Sequence, residues 1–138
     1  MPHSLKVFLC LPPLMLALDY IWLSLLASGL YRSELGGLMR LSGGGLQPII
    51  WAAALVYLAL AAGIVLFVLP RAGQGASLGS VLLWGAAFGL VVYTVYDMTN
   101  HSLLKDWPLR ISLVDIAWGG LLNALGTLAA VHLDRWFK

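Results

Sequence analysis

Four long apolar runs, each broken by a few isolated polar residues, make up most of this chain. They cover residues 7–29, 46–69, 78–99 and 111–133, each 22 to 24 residues long. About 20 apolar residues at 1.5 Å rise cross a hydrocarbon core of roughly 30 Å, so each run predicts one membrane-spanning helix. The breakers fall where such helices need limits. Gly43-Gly44-Gly45 reads as a turn, and Pro48 falls in the first turn of the second helix, where proline is tolerated. Pro70 closes that helix, Gly73-Gln74-Gly75 forms the next turn, and Pro108 precedes the fourth run. Pro12-Pro13 lies inside the first run and should kink it or delay its start. The connections are short, so sequence neighbours run antiparallel. The expected architecture is all-α: an integral membrane four-helix bundle, one transmembrane domain over residues 1–138, with both termini on the same side.

The polar interruptions are not scattered. The side carrying the loops at 30–45 and 100–110 is here the far side, and the side carrying the termini the near side. Asp97 lies near the far end of the third run, Asp115 about one turn inside the fourth, and Asp19 about 15 Å from the same surface by helical rise. In the third run Tyr93, Tyr96, Asp97, Asn100 and His101 share one helical face, which Gly89 and Gly85 extend as small residues suited to close helix approach. In the fourth, Asp115, Trp118, Gly119, Leu122, Asn123 and Gly126 share a face; in the first, Asp19, Trp22, Leu23 and Leu26 do. The second run is rich in alanine, with Tyr57 as its main polar group, and reads as scaffold. Asp19-Tyr20-Ile21-Trp22 and Asp115-Ile116-Ala117-Trp118 both spell D-x-x-W, but the alignment fails beyond a few positions, so an internal repeat is not the favoured reading.

Composition agrees with a membrane setting and narrows the chemistry. The chain is 61% hydrophobic and 10% charged, against about 25% charged in an average soluble domain. Net charge is +2 with no Lys/Arg run, so no nucleic-acid partner is expected. Cys10, the single cysteine, excludes an internal disulfide. Ala27-Ser28-Gly29 loosely resembles a signal-peptide cleavage site, yet the first run is long, holds Asp19 and is preceded only by Lys6, so it reads as a retained span. The near side carries Lys6, Arg71, Arg135 and Lys138, the far side Arg32, Arg40, Lys105 and Arg110. That balance permits insertion either way up.

Several segments together resemble a known family: L-D-Y-I-W-L (residues 18–23), Y-R-S-E-L-G (31–36), Y-D-M-T-N (96–100), Trp107-Pro108 and D-I-A-W-G (115–119). They are similar to the bacterial membrane proteins catalogued as domain-of-unknown-function family 2177, across nearly the whole chain. Met98 stands where members usually have Leu. The resemblance implies a small four-span protein of the bacterial inner membrane, and it implies no established activity.

Function therefore rests on the residues. A carboxyl at the centre of a spanning helix costs roughly 2.5–3.5 kcal/mol on insertion scales, so intramembrane acids usually face a bundle interior and mark function. Asp97 is the first candidate for a proton-transferring acid or base, since Tyr93, Asn100 and His101 share its face; Asp19 and Asp115 are the second and third. Tyr93, Tyr96, Asn100, His101, Trp22, Trp118, Asn123 and Tyr57 are the candidate ligand contacts. The bland reading is that these acids only hydrogen-bond helices together, at about 0.6 kcal/mol each. Asp97, His101 and Asp115 could offer metal ligands, but with three histidines, two of them at the near side, no metal is expected. Ser102 beside His101 lacks a third orienting partner for nucleophilic catalysis. No phosphate-binding loop or dinucleotide fingerprint occurs, so no cofactor is expected. Trp107 and Trp136 read as interface anchors.

The favoured expectation is a protein holding a membrane lipid or other hydrophobic small molecule in an acidic, aromatic site within the bundle. Proton transfer, such as an isomerisation, is the reaction such a site would support; an enzyme and a binding protein both fit. One alternative is a small proton-coupled transporter working as a homodimer. Another is a structural or accessory membrane protein.

Overall fold

The computed structural model describes residues 2–73 and 75–138; Gln74, expected in the second turn, lies outside the described residues. Five helices dominate it. They are α1 (His3–Leu26), α2 (Ser28–Leu35), α3 (Ile50–Ala72), α4 (Leu78–Leu103) and α5 (Leu109–Phe137). All but α2 are long and apolar enough to cross a membrane. This is a helical membrane bundle. α1 packs against α3 and α5, and the most extensive seam joins α4 to α5. His3 Nδ1 lies 2.8 Å from Asp134 Oδ1, and Lys138 Nζ lies 2.6 Å from Asp134 Oδ2, so the chain ends meet on the near side.

The prolines act differently from expectation. α1 begins at His3, ahead of Pro12 and Pro13, so its start is not delayed. α3 begins at Ile50 rather than at residue 46, because Leu41–Ser42 and Gly45–Leu46 form a two-residue hairpin that holds Leu46 in an extended pair with Leu41. Gly43 (φ 57°) and Gly44 (φ 79°) make its turn, the left-handed pair that a tight hairpin requires. Pro48 thus lies outside the helix. Pro70 does not end α3 either. The turn Ile64–Val68 just before it widens to π-helical geometry, with Leu69 N–H donating to Ile64 O, and this accommodates a ring that would collide with an α-helical carbonyl four residues back.

A second π-helical turn, Ile21–Leu26, ends α1, with Ala27 N–H donating to Trp22 O at 2.7 Å. It absorbs one extra residue and rotates the downstream segment. Leu26, expected on the Asp19 face, is 72% exposed, while Ala27 and Tyr31 turn inward. The glycine seam forms as spaced. A Cβ at Gly89 would collide with the Gly119 carbonyl, and one at Gly85 would come within 2.6 Å of the Asn123 carbonyl, so α4 and α5 touch backbone to backbone.

Two apolar clusters result. The larger includes Val7, Leu11 and Met15 of α1, Ile64 of α3, and Leu122 and Val131 of α5. The smaller is Ala27, Tyr31 and Ile111 toward the far side, and Trp22 packs on both.

Candidate functional site

A cavity of about 650 Å³ draws its walls from both clusters. Asp19, Asp97 and Asp115 all line it, together with Tyr31, Tyr93, Tyr96 and Trp107. The three helices that each carry one carboxyl therefore present it to a common space.

Each acid is held differently. Asp19 accepts from Tyr57 Oη at 2.7 Å and from Trp118 Nε1 at 2.7 Å, one bond to each oxygen. Asp115 Oδ1 accepts from Tyr31 Oη at 2.5 Å, and Tyr31 Oη in turn accepts from Trp22 Nε1 at 3.1 Å. Burial, then the Asp115 charge, push the Tyr31 phenol above its ordinary pKa, so it serves as donor. Asp97, 1% exposed, lines the cavity close to Asp115. Its Oδ2 has no partner among the described residues.

The two D-x-x-W segments meet in the middle. Trp22 and Trp118 stack with ring centroids 4.7 Å apart and planes 6° from parallel. Their donors cross over. Trp118 of the α5 motif bonds Asp19 of the α1 motif, while Trp22 reaches Asp115 through Tyr31. Whatever its origin, the pattern works as a clasp between antiparallel helices.

Not every candidate joins the cavity. Tyr93 and Tyr96 line it; Tyr57, Trp22 and Trp118 brace the carboxyls behind it. Asn100 and His101 do not line it. His101 is exposed and pairs through Nδ1 with the Trp107 carbonyl at 2.9 Å, because α4 rises past the cavity before ending at Leu103. Asn123 is buried in the α4–α5 seam, donating to Gly119 O at 2.9 Å with its Oδ1 unpartnered among the described residues. It lies two helical turns below Asp115, outside the lining.

Sequence reasoning missed Tyr31, the hub between Trp22 and Asp115. It lies beyond the first span, and only the π-helical turn rotates it inward. It also missed Trp107, which lines the cavity and donates to Ser112 Oγ at 2.9 Å instead of serving only as an interface anchor. The Y-R-S-E-L-G segment carried a signal for Tyr31, since it contributed to the family resemblance without any role in a span.

The far end is covered. Leu35 of α2 and Met39 and Leu46 around the hairpin line the cavity there. Arg32 donates to the Gly44 carbonyl, and Arg110 pairs with Glu34 at 3.4 Å, which ties α2 to the hairpin and to α5.

One flank is open. Between Ile50 and Gly63, α3 packs chiefly on α1, and only its closing section, Ile64–Ala72, packs on α4 and α5. The α3–α4 seam closes at Gly63, where a Cβ would collide with the Phe88 ring. From there the helices diverge toward the far side. Val56, Ala59 and Leu60 line one wall of the cleft and Phe88 and Val92 the other. Val56 is 51% exposed, so an apolar slot leads from the carboxyls to the outer flank of the bundle.

Among the described residues no three His, Cys, Asp or Glu side chains converge as ligands of one ion. Fold and site together define a small multi-pass membrane protein with an acidic pocket between its helices. A family model described as "Predicted membrane protein (DUF2177)" matches residues 4–132. The chain belongs to that family. No curated protein and no solved structure matches it.

Proposed function

We propose that this protein binds a lipid or lipid-like small molecule, polar end at the carboxyls and apolar chain in the α3–α4 cleft. One observation carries the reading: a cavity of about 650 Å³ joins three carboxyl side chains to an apolar slot that opens sideways. Ligand pockets of roughly 300–1,000 Å³ typically combine such an apolar lining with a few converging polar groups. Acids serving only as helix glue need no cavity, and Asp97 Oδ2 has no helix partner to hold among the described residues.

The chemistry that suits the site is proton transfer. Asp97 and Asp115 face each other while Asp19 is held by two fixed donors, which gives the carboxyls distinct environments, as acid and base roles require. An isomerisation is a reaction of this kind. The bacterial inner membrane is the proposed setting, supported by helical spans where outer-membrane proteins use barrels.

Native mass spectrometry of gently extracted protein tests the reading. The expected spectrum shows a lipid-like mass retained by the wild type and lost from Asp97→Asn and Asp115→Asn variants that still melt cooperatively. A bare wild-type monomer would overturn it in favour of a structural role. A bare, clean dimer would overturn it in favour of a proton-coupled transporter.

A further inference from the structure

The cavity's polar atoms narrow the head of the ligand, an inference that rests on lipid binding as proposed above. We infer that the head is cationic: the ligand class is a long-chain ammonium amphiphile, its N–H groups toward Asp97 and Asp115 and its chain in the cleft.

Acceptors outnumber free donors here. The Tyr57 hydroxyl and Trp118 Nε1 are committed to Asp19, the Tyr31 hydroxyl to Asp115, and Trp107 Nε1 to Ser112, which leaves the Tyr93 and Tyr96 hydroxyls as lining donors against the three carboxyl oxygens of Asp97 and Asp115 that are unbonded among the described residues. Asp97, 1% exposed, lines the cavity, and its Oδ2 has no partner among the described residues. A buried acceptor left unpaired is costly, and a ligand N–H would remove that cost.

The charge balance points the same way. Three carboxyl side chains line the cavity, and among the described residues no Lys, Arg or His does. A phosphate or carboxylate head would meet like charge without the guanidinium or ammonium partners that normally hold it. An ammonium head meets opposite charge and the rings of Tyr93, Tyr96 and Trp107, whose faces attract cations. A neutral alcohol would supply the missing donor but gain nothing from the charge or the rings.

The test titrates the full chain, in a nonionic detergent at neutral pH, with dodecylammonium, dodecanol and dodecyl phosphate, read by native mass spectrometry. Dodecylammonium should bind one per chain and most tightly. Asp97→Asn should weaken it by about tenfold or more, the worth of one charge-assisted bond, and Asp106→Asn, in the exposed far-side loop, should not. A thermal melt of each variant separates lost binding from lost fold, and Asp115→Asn stands in if Asp97→Asn does not fold. Equal or tighter binding of the alcohol or the phosphate overturns the cationic head and leaves the pocket reading standing. Binding of none of the three overturns both.

Discussion

Asp19 and Asp97 are both buried carboxyls, yet their environments assign them opposite sensitivities. Asp19 has an N–H or O–H donor on each oxygen, at 2.7 Å. Removing one donor leaves a buried acceptor unmet, which costs about 1–3 kcal/mol. Trp118→Phe and Tyr57→Phe should therefore each lower unfolding free energy by about that amount in detergent melts, and Trp118→Phe also removes half of the stacked pair with Trp22. Asp97→Asn gives up no bond at Oδ2, so its stability should stay within about 1 kcal/mol of wild type while ligand retention falls. Equal destabilisation by the two kinds of change would return all three acids to the role of helix glue. The D-x-x-W segments show what one-dimensional reading could reach at this scale. The sequence displays both motifs, but that Trp118 answers Asp19 rather than its own Asp115 is a result of the antiparallel placement of α1 and α5.

At the scale of elements, two seams of different chemistry and one π-helical turn set the shape of the bundle. α4 and α5 are joined by glycine against backbone. A leucine at Gly89 would force them apart and should abolish folding, whereas alanine at Gly29, where a Cβ would meet nothing within 4 Å, should leave the melt unchanged. α3 and α4 are joined only below Gly63 and part above it. A tryptophan in place of Ala59 should fill the cleft, leave the melt near wild type and reduce ligand occupancy in the same mass spectra; unchanged occupancy would place the entry route elsewhere. α1 ends in a π-helical turn that shifts its inward face by one residue, from Leu26 to Ala27 and Tyr31. Regular 3.6-residue periodicity places Asp19 inward, and Trp22 and Leu23 still follow it at the opening of the π-helical turn. It fails where hydrogen bonding lengthens to five residues, which apolar patterning does not encode.

The whole molecule is asymmetric between its two ends. The near end is stapled: Asp134, 5% exposed, joins His3 and Lys138, and Lys6 Nζ lies 5.4 Å from the Phe137 ring centroid. The far end holds the cavity, capped by α2 and the hairpin. Ligand entry and exit should therefore involve the far half while the near half stays fixed. Hydrogen exchange should show the amides of residues 36–49 exchanging faster than those of residues 119–131, with ligand protecting the former. The four positive residues on each side leave the direction of the cavity open to experiment. A C-terminal reporter active in one compartment only would assign the cavity to a single leaflet; activity in both would establish dual topology.

Apolar run length and helical spacing by themselves determined the class: a helical membrane bundle of four long helices with acids on inward faces. They could do so because a bilayer demands about 20 apolar residues per crossing and penalises every exception. Tertiary structure alone decided that the three carboxyls share one chamber, that Tyr31 and Trp107 belong to it while Asn100, His101 and Asn123 do not, and that α3 and α4 part beside it. Those outcomes depend on helix rotation, on two π-helical turns and on where neighbouring backbones touch. Each is set by contacts between residues far apart in the chain, and spacing along a single helix carries no record of them.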